Sequence, residues 1–103
     1  MKLITTFRGL DLADTVRATE ALERHVGRIE RLLDRPAPLR TVVEGDGTEH
    51  RVWFSMQVDN SEFYAESRGH DLPLAITNAC ERLRSQILKR RRRRTSVRLR
   101  DAV

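Results

Sequence analysis

The chain has 103 residues, a length typical of a single domain. Hydrophobic residues make up 39% of it and charged residues 34%, and 20 Lys and Arg against 15 Asp and Glu give a formal net charge of +5. No apolar run is long enough for a membrane span or a signal peptide, and the single cysteine, Cys80, has no disulfide partner. We therefore expect a cytoplasmic protein without a membrane anchor.

The charge is distributed unevenly along the chain. Residues 84–103 contain nine basic residues and one acidic residue, a net charge of +8. Residues 1–83 contain eleven basic and fourteen acidic residues, a net charge of −3. This asymmetry indicates a polyanionic partner, with nucleic acid favoured over an acidic membrane surface or an acidic protein.

The first half of the chain predicts a strand and a helix. Branched and aromatic residues alternate over residues 2–8, which is typical of a strand ending at Gly9. A helix is predicted over about residues 14–34, with Asp11 or Asp14 as its N-cap and the prolines after residue 35 as its stop. Its apolar face consists of Ala18, Leu22, Val26, Ile29 and Leu33.

The second half predicts three strands and another helix. The strands cover residues 39–44, 51–58 and 62–68, separated by turn residues, and Asp71 caps a helix that extends to about Arg92. The expected order is β-α-β-β-β-α, an α+β two-layer sandwich in which two helices cover one face of a four-stranded sheet. Residues 1–94 form this domain, and residues 95–103 are expected to form a flexible basic tail.

Two basic features stand out in this predicted fold. Residues 89–94 are six consecutive basic residues, five of them arginines, which suit bidentate contacts with phosphate. A second stripe on the first helix consists of Arg17, Arg24, Arg28, Arg31 and Arg35. If the helices pack side by side, this stripe lies near Arg84 and the run. The alternative for the basic run is a solubilising tail, and the alternative for the helix stripe is an ordinary solvated face.

Features that would support catalysis are few. The three histidines lack metal-ligand spacing, and the sequence has no P-loop, GxGxxG or GxSxG motif. We therefore expect no metal site, cofactor, small-molecule substrate or enzymatic activity. His70 and Asp71 are interpreted as a helix start, His25 as a helix-surface residue and Cys80 as a buried core residue. Aromatic residues Trp53 and Tyr64 are candidates either for stacking on bases or for packing on the sheet.

Three segments together resemble one protein family. Residues 69–76 and 81–89 resemble the acidic-D-(M/L)-x-x-A-I and K-L-x-R-Q-L-x-K parts of a helix in ribosome hibernation-promoting factors and ribosome-associated inhibitors. Residues 28–35 resemble the K-L-E-x-Y-F-D segment of that family. The resemblance covers roughly residues 2–94, and it is closest to the short form of these bacterial proteins.

The resemblance implies a cytoplasmic stationary-phase or stress factor that inactivates idle ribosomes. It would occupy the messenger RNA and transfer RNA sites of the small ribosomal subunit, as a monomer or weak homodimer, and contact ribosomal RNA through basic residues. Two alternatives remain open: a general module for structured, double-stranded RNA, and a regulator that docks an acidic protein. The predicted RNA-binding residues are Arg24, Arg28, Arg31, Arg82, Arg84, Lys89, Arg90, Arg91, Arg92, Arg93 and Arg94.

Overall fold

The computed structural model describes the backbone of residues 2–101 and the side chains of residues 2–91. The elements follow in the predicted β-α-β-β-β-α order. They are β1 (Leu3–Arg8), α1 (Leu12–Glu30), β2 (Leu39–Asp46), β3 (Glu49–Val58), β4 (Ser61–Gly69) and α2 (Leu72–Asp101).

The sheet has the strand order β1-β2-β3-β4. Strand β1 is parallel to β2, as a strand-helix-strand crossover requires, and the other neighbours are antiparallel. Asp59 and Asn60 both adopt positive φ, 48° and 64°, in the two-residue turn between β3 and β4. Such a turn matches the right-handed twist of a hairpin. The four-stranded α+β fold predicted from the sequence is thus confirmed.

A close approach of the backbone joins the end of β1 to the end of β2. A Cβ on Gly9 would lie 2.5 Å from the carbonyl oxygen of Gly45, and a Cβ on Gly45 would lie 2.8 Å from that of Gly9. Gly9 also has a φ of +64°. Both positions therefore require glycine, for steric reasons at each and for conformational reasons at Gly9.

Helix α1 begins as predicted but ends earlier. The Asp11 carboxylate accepts a hydrogen bond of 2.8 Å from the Asp14 N–H, so Asp11 is the N-cap. The helix ends at Glu30 rather than at about residue 34. Beyond it the N–H groups of Leu32 and Leu33 bond to carbonyls three residues back, and this tighter turn directs both leucines onto the core.

Helix α2 begins as predicted and is longer than predicted. The Asp71 carboxylate accepts a hydrogen bond of 3.0 Å from the Leu74 N–H, which confirms the cap. The helical backbone continues to Asp101, which corrects the expected end near Arg92. Arginine is a good helix former, so its propensity offsets part of the charge repulsion in the run. The expected flexibility of residues 95–103 stays a prediction.

Both helices pack on one face of the sheet and enclose a single apolar core. The predicted apolar face of α1 is buried or half-buried, and Ala21 is buried with it. The apolar face that the spacing predicts for α2 is buried together with Ala75, and it consists of Leu72, Ile76, Ala79, Cys80, Leu83 and Ile87. Cys80 is a core residue as predicted, and burial raises the pKa of its thiol to about 12. The largest fully buried side chains include Phe54, Leu22, Ile29, Leu39, Ile76 and Leu83.

Candidate nucleic-acid interface

Helix α1 has one basic flank and one acidic flank. Successive helical residues are rotated by about 100°, which places Arg17, Arg24 and Arg28 on one side of the buried stripe. Glu23 and Glu30 fall on the opposite side. The basic flank therefore runs along one side of the buried stripe.

The basic flank faces α2. Across the boundary between the helices, His25 Nε2 lies 3.0 Å from the Thr77 hydroxyl. One turn further along, the Arg28 guanidinium lies 3.8 Å from the Glu81 carboxylate. We call this boundary the seam, defined by Arg24, His25, Arg28, Thr77, Glu81 and Arg84. Of the predicted arginine stripe, Arg28 lies near Arg84, because both face the Glu81 carboxylate.

Glu81 connects the two helices at the middle of the seam. Its Oε1 lies 3.8 Å from Arg28 NH1, and its Oε2 lies 3.6 Å from Arg84 NH1. These side chains are 57% (Arg28), 49% (Glu81) and 37% (Arg84) exposed. The Nε of Arg84 is buried and has no hydrogen-bond partner among the described residues. One carboxylate thus sits between two solvent-accessible guanidinium groups on different helices.

His25 is half-buried in the seam, which corrects its predicted position on the helix surface. The Thr77 hydroxyl donates to the Pro73 carbonyl at 2.9 Å, so its oxygen accepts from a protonated His25 Nε2. Burial, followed by the nearby charges of Arg28 and Arg24, lowers the pKa of His25. The imidazole is therefore held neutral, and the positive charge of the seam comes from arginine.

The first part of the basic run anchors a loop. Arg91 NH1 donates a hydrogen bond of 3.3 Å to the Leu32 carbonyl, and Arg91 NH2 lies 3.7 Å from the Asp34 carboxylate. Arg90 lies half-buried beside the same connection, and Lys89 is exposed. Arg91 therefore holds the α1–β2 connection against α2. The side chains of Arg92, Arg93 and Arg94 lie outside the described residues.

The remaining predicted residues do not all join the seam. Arg24 is exposed on the basic flank of α1, and Arg31 is exposed as the C-cap of that helix. Arg35 of the predicted stripe falls in the connection beyond the helix, because α1 ends at Glu30. Arg82 points away from the seam and donates to the Glu66 carbonyl at the free edge of β4.

Gln86 completes this cover of the β4 edge. Its amide oxygen accepts from the Tyr64 N–H at 3.3 Å, and its amide nitrogen donates to the Tyr64 carbonyl at 2.6 Å. Arg82 and Gln86 thus occupy backbone groups that another strand would otherwise pair with. Sequence reasoning missed this role, since only the packing of α2 beside β4 brings the groups together.

The open face of the sheet also carries arginines, and two of them, Arg51 and Arg68, share Glu66. Arg51 donates to one Glu66 carboxylate oxygen at 3.2 Å and 2.8 Å, and Arg68 lies 3.6 Å from it. The Tyr64 hydroxyl donates to the other oxygen at 3.3 Å. Hydrogen bonding from Arg51 lowers the pKa of Glu66. Arg51 also lies 4.6 Å over the Trp53 ring and covers one face that a base would need.

Within residues 2–91, no three metal-ligating side chains lie close enough together to hold an ion. A cleft at the N-terminal ends of the helices contains two histidines. His50 Nε2 is 3.7 Å from the Asp14 carboxylate, and His70 Nδ1 is 3.1 Å from the Thr48 carbonyl.

Over the described part of the chain, no helix has the length and apolar character needed to cross a membrane.

Two solved structures share this fold. The N-terminal domain of Thermus thermophilus Protein Y superposes with a TM-score of 0.72 and 23% identity, over 84% of this chain and 96% of that domain. A ribosomal subunit interface protein from Coxiella burnetii superposes with a TM-score of 0.70 and 17% identity, over 88% of this chain and 98% of its own. No family model and no curated protein sequence matches the chain. The structures confirm, at the level of fold, the resemblance predicted from the sequence.

Proposed function

We propose that this protein is a cytoplasmic, non-enzymatic ribosome-associated factor that binds RNA through its helix-bearing face. The observation that carries the proposal is the convergence of Arg28 and Arg84 from two helices on one exposed seam, with Arg24 beside them. Guanidinium groups from two helices that face one carboxylate also suit the phosphates of folded RNA. The fold shared with a ribosomal subunit interface protein supports the ribosome as the source of that RNA.

The finer proposal is that the protein inactivates idle ribosomes during stress or in stationary phase. It would occupy the channel of the small subunit that messenger RNA and transfer RNA share, held by contacts between arginines and ribosomal RNA phosphates. Phosphate contacts position a protein but carry little sequence information, so the shape of the RNA would select the site. The basic run would add affinity through counterion release.

Co-sedimentation with ribosomes on sucrose gradients tests this proposal. We expect the protein to migrate with small subunits and intact ribosomes, and to be displaced by salt and by messenger RNA. The double variant Arg28→Gln/Arg84→Gln should bind roughly tenfold more weakly, with a salt slope lower by about two units, since each neutralised phosphate adds about one unit.

The matched control is Arg51→Gln/Arg68→Gln, which removes the same charge from the open sheet face. Thermal melts establish that both double variants fold. Equal losses in the two variants would contradict a seam interface and indicate attraction by net charge alone. Binding that messenger RNA fails to displace would contradict the channel, and equal binding to any RNA duplex would favour the general double-stranded RNA module.

A further inference from the structure

Glu81 occupies the place in the seam that suits an anionic ligand. Its two carboxylate oxygens face guanidinium groups from two different helices, Arg28 on α1 and Arg84 on α2. A phosphodiester likewise presents two unesterified oxygens that share one negative charge. The carboxylate is therefore a chemical stand-in for a backbone phosphate between the same two arginines.

The contacts of Glu81 are loose enough to be exchanged. At 3.8 Å and 3.6 Å, both separations exceed the 2.7–2.9 Å or so of a charge-assisted hydrogen bond. All three side chains are substantially exposed, so the ion pairs are weak and screened by salt. A phosphate that made shorter, bidentate contacts with the same guanidinium groups would displace the carboxylate.

The surroundings of Glu81 favour an anion. Arg24 is close enough to His25 to influence its titration, as are Arg28 and Glu81. With His25 neutral, three arginines and one carboxylate leave the seam with an excess of two positive charges. Without the carboxylate, the excess would be three.

We propose that Glu81 is an intramolecular competitor of RNA phosphate, and that Arg28 and Arg84 form the phosphate subsite that it occupies in the free protein. This inference rests on the proposed function, because it assumes that the seam binds RNA. It adds that the affinity is limited by this chain's own carboxylate. RNA binding must release Glu81 from its arginines, and the freed carboxylate opposes the bound phosphate.

Glu81→Gln tests this competition, because glutamine keeps the size of the side chain and removes its charge. Measured with purified small ribosomal subunits at low salt, we expect Glu81→Gln to bind roughly threefold to tenfold more tightly than the unmodified protein. The slope of log affinity against log salt should be steeper by about one unit. Glu81→Ala, which also lacks the carboxylate, should change both quantities in the same direction.

Glu62→Gln is the matched control, since it makes the same charge change at an exposed position in β4. It should tighten binding by less than Glu81→Gln does. If Glu81→Gln and Glu81→Ala bind no more tightly than Glu62→Gln while Arg28→Gln/Arg84→Gln weakens binding, the competition is refuted and the proposed interface stands. If the arginine variant also binds normally, the interface itself is wrong. Weaker binding by Glu81→Gln would show that Glu81 organises the arginines, which also overturns the inference.

Discussion

The seam and the open sheet face use the same residue type in different ways. On the sheet face, Arg51 and Arg68 share Glu66, and Arg51 also lies over Trp53. In the seam, Arg28 and Arg84 share Glu81 at 3.8 Å and 3.6 Å, with Arg24 close by. Arg51 is held by hydrogen bonds as short as 2.8 Å, whereas neither Arg28 nor Arg84 lies closer than 3.6 Å to the Glu81 carboxylate. The number of arginines on a surface therefore indicates less about its capacity to bind phosphate than the distances from those arginines to their acidic partners.

The largest effect is expected from a change that destroys both surfaces at once. Ile76 is fully buried on the core-facing side of α2, so Ile76→Asp would place an unpaired carboxylate in the core. We expect a loss of about 4 kcal/mol or more in the free energy of unfolding, enough to unfold a small domain. Circular dichroism during thermal melting measures this. Asn78→Asp is the control, because it adds the same group at an exposed position of α2 and should melt normally.

The next largest effect concerns the basic run. Replacement of Arg90, Arg91, Arg92, Arg93 and Arg94 with glutamine should lower the salt slope of RNA binding by roughly 3–5 units. The control replaces four arginines of the open sheet face with glutamine and should retain most of the salt dependence of RNA binding. These are Arg8, Arg40, Arg51 and Arg68. An unchanged slope in the first variant would show that the run does not anchor RNA. Since Arg91 also holds the α1–β2 connection, a thermal melt is needed to separate folding from binding.

The smallest expected effect concerns the titration of His25 in the seam. The pKa of His25 is lower in the folded state than its ordinary value of 6.5, so the unfolded chain binds more protons as the pH falls towards 5. This histidine therefore reduces stability on acidification and has no such effect above about pH 7.5. His25→Gln should flatten the dependence of stability on pH between 5 and 7, measured by urea unfolding. A slope identical to that of the unmodified protein would contradict the neutral, half-buried assignment.

Much of the fold could be predicted from local patterns. Apolar spacing identified both buried helix faces, from Ala18 to Ile29 and from Leu72 to Ile87. Asp11 and Asp71 were recognisable as caps because a short acidic side chain before an apolar helix satisfies free N–H groups. The end of α1 was missed because a tightened last turn and the core contacts of Leu32 and Leu33 are tertiary features.

The candidate site was only partly predictable. The stripe containing Arg24 and Arg28 was visible as a helical pattern, but the pattern does not say which element it faces. No pattern along the chain indicated that Arg82, which is predicted to bind RNA, covers the β4 edge. Glu81 and His25 had no distinguishing signal, since their partners Arg28 and Thr77 lie about fifty residues away in the chain.

The sequence by itself determined the order of elements, the two helix faces and the concentration of positive charge near the C-terminal end, because each of these depends on neighbours along the chain. The tertiary structure alone decided which arginines are held by short hydrogen bonds and which face a carboxylate at a longer distance. That distinction depends on distances between side chains from different elements, such as Arg28 to Glu81 and Arg51 to Glu66. Charge is a property of composition, whereas its neutralisation is a property of packing.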